Sequence, residues 1–143
     1  MSHPSPQSYF TLRVQLKIVR ARSFETLAGI GLSILVAMPR NVSMVCGPIT
    51  SGGAGSVEKN VARLSFAIDL LALRGENVLT QLLFTDAIKR ITKNCTYYKG
   101  VDHLLNALYF PLFYSGFITR LCFLPDWRSS YGATWEHDRA VEL

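Results

Sequence analysis

The chain has 143 residues, a length typical of one domain with an apolar core of its own. Hydrophobic residues make up 49% of it and charged residues 17%, which excludes a chain that is disordered by composition. The longest apolar stretch, from Leu27 to Met38, is shorter than the roughly 18 residues that a membrane-spanning helix needs. We therefore expect no association with a membrane.

The formal net charge of +5 is concentrated at the N-terminus. Residues 1–24 hold four basic side chains and no acidic one, whereas the rest of the chain holds 11 basic and 10 acidic side chains. The remainder is nearly neutral, so the charge does not predict binding to a nucleic acid polymer. A basic N-terminus fits a transit peptide, an appended extension or upstream sequence read through from a wrong start.

The three cysteines, Cys46, Cys95 and Cys122, form no CxxC pair and have no histidine at metal-ligand spacing. An odd count without such spacing argues against a disulfide framework and against a zinc site. Cys46 and Cys122 lie in apolar runs and are predicted to be small core residues. We expect no metal, no cofactor and a reducing, cytoplasmic location.

The first 41 residues differ in pattern from the rest. Residues from Phe10 to Val19 partly alternate apolar and polar side chains, which predicts a strand. Residues Gly29 to Met38 fit a second strand or a short helix. Pro39 to Asn41 form a break, so we predict an N-terminal extension of uncertain structure over 1–41 and an α/β domain over 42–143.

A strand–helix–strand pattern begins at residue 42. Val42 to Cys46 form a short apolar strand, and a glycine-rich loop follows from Gly47 to Gly55. A helix is predicted from about Ser56 to Arg74, because its apolar residues are spaced 4-3-4-3. A second strand over Asn77 to Leu83 completes a βαβ unit, whose two strands are expected to be parallel.

The remainder alternates helices with one more strand. Helices are predicted from Thr85 to Lys93, from Asp102 to a kink or end at Pro111, and from Tyr131 onward. A third buried strand is predicted at Arg120 to Leu124. This alternation predicts an open α/β sheet of three parallel strands with the first strand in the centre.

Two loops leave the carboxyl ends of strands and enter helix N-termini, where α/β sheets bind ligands and where backbone N–H groups suit a phosphate. The loop Gly47 to Gly55 departs from both phosphate-binding templates. Gly53 stands where a Walker loop needs lysine, and Glu58 stands where GxGxxG needs glycine. A plain glycine-rich connector therefore remains an alternative.

The second loop and the helix after it hold several reactive or aromatic residues: Asp126, Trp127, Ser129, Ser130, Gly132, Trp135 and Glu136. Ser130 can cap the helix or bind an anion, and Gly132 permits close backbone approach. Trp127 and Trp135 could form an apolar wall for a flat base. The alternative is a capped surface helix with an exposed Glu136.

Residues Leu124 to Glu136 resemble the signature of the nucleoside 2-deoxyribosyltransferase-like superfamily, closest to a small branch of uncharacterised bacterial and phage proteins. The resemblance covers about residues 42–143. The matching positions are Trp127, Ser130, Gly132, Ala133, Glu136 and Ala140, supported upstream by Gly47-Pro48, Asn60, Phe66-Ala67, Leu71 and Gly75.

The resemblance implies a flavodoxin-like open parallel sheet and cleavage or transfer at the N-glycosidic bond of a nucleoside or nucleoside monophosphate. By position Glu136 is the nucleophile that attacks the anomeric carbon, so we expect nearby hydrogen-bond donors or a helix N-terminus to keep it ionised. Phosphate-binding positions are Gly47, Gly52, Gly53 and Ser130. Pro48, Trp127 and Gly132 complete the predicted substrate site.

Two departures from the family leave alternatives open. Residues 114–117 hold no acid where many relatives carry an aspartate, so Asp126 and Asp86 are the remaining candidates for the acid. The chain also ends before the strand that normally follows the last helix, so the domain looks truncated. Residues 10–38, a partner chain in a homo-oligomer, or nothing would complete the sheet. The alternative function is a catalytically silent nucleotide-binding module or a truncated remnant of such an enzyme.

Overall fold

The computed structural model describes residues 9–49, 52–94 and 100–143, and its contacts divide the chain into two units. The helical unit comprises Met1–Arg40 and Leu83–Phe117, and the sheet unit comprises Asn41–Leu82 and Ile118–Leu143. Three stretches lie outside the described residues: residues 1–8 of the extension, residues 50–51 of the glycine loop, and residues 95–99, which include Cys95. The predicted domains 1–41 and 42–143 follow one another in sequence, whereas these units interleave, and that domain assignment stays a prediction.

The sheet unit holds a small open parallel sheet. Its strands are β1 (Val42–Cys46), β2 (Asn77–Val78) and β3 (Ile118–Phe123), in the order β2-β1-β3. Both neighbours of β1 run parallel to it, so the predicted parallel arrangement with a central first strand is confirmed. All five residues of β1 are buried. The strand β2 is shorter than predicted, and the buried Gln81 side chain after it donates to the Val45 carbonyl at 2.9 Å.

Two helices of the sheet unit begin at serine caps. Helix α3 (Val57–Leu73) begins where the Ser56 hydroxyl accepts the Lys59 N–H, and a left-handed Gly75 follows its end, as the spacing predicts. The core against this helix contains the buried Val45, Leu64 and Val78. Helix α7 (Tyr131–Glu142) begins at Ser130 and buries Ala133 and Glu136.

The described part of the helical unit contains no strand. Its helices are α1 (Leu12–Arg20), α2 (Phe24–Ala37), α4 (Thr85–Asn94), α5 (Val101–Leu104) and α6 (Phe110–Phe113). The predicted strand from Phe10 to Val19 is therefore wrong. The alternating apolar residues lie on two sides of a helix instead: Ile18 is buried, whereas Leu12 and Leu16 are exposed. The Thr11 hydroxyl caps this helix by accepting the Val14 N–H.

Close packing of α2 against α6 explains a glycine inside a helix. A side chain at Gly31 would lie 2.9 Å from a methyl carbon of the fully buried Leu112. A π-helical turn, Leu105–Tyr109, precedes Pro111, whose missing N–H cannot extend a regular hydrogen-bond ladder. Within the described ranges, no helix is long and apolar enough to cross a membrane.

Candidate functional site

The candidate site lies where β1 and β3 end side by side. After β1 the chain forms β2 on one side of it and later β3 on the other side. The strand ends therefore form a topological switch point, the place where open α/β sheets bind ligands. The Leu124 N–H donates to the Cys46 carbonyl at 2.9 Å, which joins the two strand ends. Gly47 packs closely here, because a Cβ atom on it would lie 2.6 Å from the Leu124 side chain and would force that side chain to move. Gly47 and the adjacent Pro48 are both buried.

Asn60 fixes the glycine-rich loop from inside helix α3. Its amide nitrogen donates to the carbonyls of Ile49 and Gly52, both at 3.1 Å, and its amide oxygen accepts the Ala54 N–H at 2.8 Å. Asn60 is buried, so these bonds form away from solvent and join Ile49, Gly52 and Ala54 to helix α3. The resemblance matched Asn60 but gave it no role, because the role depends on contacts with residues up to eleven positions away.

The two loops contact each other at Ser129. Its hydroxyl accepts the Gly53 N–H at 2.8 Å and donates to the Asp126 carbonyl at 2.7 Å. Gly52 has a positive φ of 69°, and a Cβ atom on it would collide with the Ser129 carbonyl oxygen. Only glycine fits at this contact. The sequence predicted Gly52 and Gly53 as site residues but assigned Ser129 no role of its own.

A cleft of about 550 Å³ opens beside these glycines. It is lined by Gly52, Gly53 and Gly55, by Ser56 and Val57 at the start of α3, and by Asn60 and Ser129. First-turn N–H groups of a helix have no intrahelical acceptor and carry a partial positive charge, so this end of α3 favours a negatively charged group. Glu136 is not among the residues lining this cleft.

Asp126 forms a bidentate ion pair with Arg63 of helix α3, with N–O distances of 2.7 and 2.8 Å. The Arg63 hydrogen bonds hold the pKa of the Asp126 carboxyl below its usual range. A carboxyl group with a lowered pKa is ionised near neutral pH and has no proton to donate. The ion pair therefore suits Asp126 to joining the second loop to α3 rather than to acid catalysis.

Glu136 lies on the inner side of α7, only 5% exposed. The Cys46 thiol donates a hydrogen bond to its Oε2 at 3.4 Å. Burial raises the pKa of Glu136 to about 8, and the bond from Cys46 lowers it only in part. The expectation that its surroundings keep Glu136 ionised is therefore wrong, and so is the alternative of an exposed glutamate. Its role as the nucleophile stays a prediction.

Cys46 is more than the small core residue that its apolar neighbours predicted. Its burial and the nearby Glu136 carboxylate both raise the pKa of the thiol well above its usual value. The thiol therefore stays protonated and can act as a hydrogen-bond donor to Glu136. No local pattern in the sequence joins these two residues, which are 90 positions apart.

Ser130 and Gly132 occupy structural positions at the start of α7. The Ser130 hydroxyl is buried and accepts the Ala133 N–H at 3.2 Å, so it serves as the helix cap. A Cβ atom on Gly132 would meet its nearest neighbour, the Ser130 hydroxyl, only at 3.9 Å. No close backbone approach requires glycine there. Both remain predicted substrate-binding positions.

The Trp127 ring is engaged within the sheet unit. It stacks on the His137 ring with centroids 4.1 Å apart and an interplanar angle of 13°, and the Arg128 guanidinium lies 4.8 Å from its centroid. Phe123 packs against both rings of the stack. A base that stacked on Trp127 would have to compete with these neighbours. Trp135 contacts Arg139 instead, so the two tryptophans form separate stacks.

Comparison with protein-family models, with curated proteins and with solved structures finds no match for this chain. Across residues 9–49, 52–94 and 100–143, no group of three or more His, Cys, Asp or Glu side chains is arranged to hold a metal ion.

Proposed function

We propose that the sheet unit is part of a flavodoxin-like domain that cleaves or transfers at the N-glycosidic bond of a nucleoside or nucleoside monophosphate. One observation carries the proposal: a buried carboxylate, Glu136, lies beside the end of the central strand, where such folds bind ligands. The resemblance of residues 42–143 to nucleoside 2-deoxyribosyltransferases supports the same chemistry.

In the proposed reaction the Glu136 carboxylate attacks the anomeric carbon of the sugar. A carbon–oxygen bond to the enzyme forms while the carbon–nitrogen bond to the base breaks, and the departing base takes up a proton from water. Water or a second base then displaces the carboxylate. Asp126 acts as a positioning residue through Arg63, since its ionised form cannot supply that proton.

The protonation state of Glu136 governs this reaction. With a pKa of about 8, roughly one molecule in ten is ionised at pH 7 before substrate binds. A nucleophilic role therefore predicts that kcat/KM rises up to tenfold per pH unit below 8 and levels off above it. A role as general acid predicts a fall above pH 8 instead.

The cleft beside Gly52 and Gly53 is the proposed position of a substrate phosphate. Ser129 and the start of α3 line it. The Ser129 hydroxyl accepts the Gly53 N–H and donates to the Asp126 carbonyl, so we propose that it positions the glycine loop while N–H groups at the start of α3 bind the phosphate. Ser129→Ala should weaken the binding of monophosphates and leave free nucleosides unaffected.

The test is base release from a panel of nucleosides and monophosphates, followed by chromatography between pH 6 and 9. Glu136→Gln keeps the side-chain shape and should abolish base release, whereas Glu142→Gln, in an exposed position of the same helix, should not. Unchanged turnover in Glu136→Gln would remove the covalent mechanism.

A second candidate, a nucleotide-binding module without turnover, is favoured by the same burial. Glu136 is held against Cys46, and Arg63 engages Asp126, the acid candidate in the sheet unit. Calorimetry that finds monophosphate binding without any base release across the pH range would replace the enzyme proposal with this one.

A further inference from the structure

The two units differ in charge. Between them, Met1–Arg40 and Leu83–Phe117 contain nine Lys and Arg and three Asp and Glu, a net charge of +6. The sheet unit contains six basic and seven acidic residues, a net charge of −1. The positive charge of the N-terminus therefore continues into α4, which contributes Lys89, Arg90 and Lys93.

A cleft of about 660 Å³ lies within the helical unit, between the end of α1 and the end of α4. Three arginines, Arg20, Arg22 and Arg90, line it together with Asn94, Val19 and Ile91, and its described lining contains no acidic residue. Its volume lies in the range of small-molecule sites. Such a lining favours an anion over a neutral or cationic ligand.

The three arginine side chains differ in their hydrogen bonds. One terminal nitrogen of Arg90 donates to the carbonyls of Ile18 and Ala21, at 3.0 and 2.6 Å. These bonds orient the guanidinium and engage carbonyls at the negative end of α1, which would otherwise repel an anion. Among the described residues, the guanidinium groups of Arg20 and Arg22 have no ion-pair or hydrogen-bond partner. Their planar groups remain able to bind phosphate oxygens in pairs.

We propose that this cleft is an anion site for a small ligand carrying a diphosphate group, separate from the candidate site in the sheet unit. Arg20 and Arg22 bind the phosphate oxygens, and the anchored Arg90 contributes its remaining N–H groups. The chemistry is that of a diphosphate, whether it is inorganic or part of a nucleotide.

The test is titration calorimetry with inorganic pyrophosphate and with adenosine diphosphate at 0.15 M salt. The double variant Arg20→Gln/Arg22→Gln should lose at least tenfold in affinity. Its matched control is Arg13→Gln/Lys17→Gln, which removes the same charge from α1 outside the cleft and should change affinity less than twofold. Equal binding of the two ligands assigns recognition to the phosphates, and tighter binding of the nucleotide adds a contact of the base with Val19 or Ile91; both support the proposal.

Several results would overturn it. One is that the unmutated chain binds neither pyrophosphate nor adenosine diphosphate at 5 mM. Another is an equal loss of affinity in the two double variants, which would indicate nonspecific attraction to the positive charge. A lower unfolding midpoint in Arg20→Gln/Arg22→Gln without any anion binding in the parent would assign these arginines to the helix ends alone. Should that variant fail to fold, Arg20→Lys/Arg22→Lys keeps the charge, and affinity unchanged from the parent would exclude paired recognition. Binding of phosphatidylserine vesicles but not pyrophosphate would replace the cleft with a membrane surface on α1, whose Leu12 and Val19 are exposed.

Discussion

The sheet unit buries polar side chains beside its apolar ones, whereas the described part of the helical unit buries apolar side chains. All the buried polar or charged residues of the described chain lie in the sheet unit: Ser43, Asn60, Gln81, Ser130 and Glu136. The core of the helical unit contains large apolar side chains such as Phe24, Phe84 and Leu112. Since burying a polar group is costly unless it is hydrogen-bonded, the sheet unit depends on the hydrogen bonds of these side chains for its stability.

The buried polar side chains of the sheet unit also differ from one another in their hydrogen-bond partners. Asn60 and Gln81 bond to backbone groups, and Ser130 caps a helix, so each holds a loop or a helix end in place. Glu136 differs, because its bond comes from a thiol and its charged form is strongly disfavoured. A buried ionisable side chain that lowers stability and holds no loop or helix end in place is a candidate for a role in catalysis or binding.

The largest expected effect concerns the apolar core of the helical unit. Leu112→Ala should lower the free energy of unfolding by about 2–5 kcal/mol, because it leaves a cavity next to Gly31. Leu12→Ala, at a position that is 71% exposed, is the control and should change it by less than about 0.5 kcal/mol. Urea unfolding measures both. Equal effects would contradict the packing of α2 against α6.

An effect of similar size and opposite sign is expected at Glu136. The folded chain raises the pKa of this carboxyl from 4.5 to about 8, so between these values the folded state binds more protons than the unfolded state. Stability should therefore be fully retained below pH 4.5 and should fall as the pH rises, by about 1.4 kcal/mol per unit, until it levels near pH 8. Glu136→Gln removes this loss, so it should be more stable than the parent by a few kcal/mol at pH 8 and about equal at pH 4.5. A parent and variant that differ by the same amount at both pH values would contradict the burial effect.

The smallest of these effects is expected at Asn60. Asn60→Ala leaves the Ala54 N–H and two carbonyls without their partner and should cost about 1–3 kcal/mol. Hydrogen exchange should speed up at Ala54 and in the glycine loop before the rest of the sheet unit changes. Exchange that is unaffected at Ala54 would show that the loop is held by other contacts.

The two units were not equally predictable from sequence. In the sheet unit, Ser56 and Gly75 bound a long periodic helix and β1 is a short apolar run, so local signals agree with the fold there. The other two strands were predicted less well, because β2 is only two residues long and β3, predicted as buried, is partly exposed. In the helical unit the stretch after Phe10 is too short to separate a period of 2 from a period of 3.6, and tertiary packing decides for a helix. The candidate site was predictable only as a pair of loops. Its contacts, such as Cys46 with Glu136 or Arg63 with Asp126, join residues far apart in sequence.

The central claim is that Glu136 is a buried carboxyl group that is mostly protonated at neutral pH. The most direct test is a carbon-13 NMR titration of the glutamate carboxyl groups between pH 4 and 10, with Glu136→Gln identifying the Glu136 signal by its loss. The account predicts a Glu136 midpoint near 8, several units above the ordinary value of 4.5. A Glu136 midpoint near 4.5 would contradict the account, because it would mean that the carboxyl group is solvated or paired with a cation.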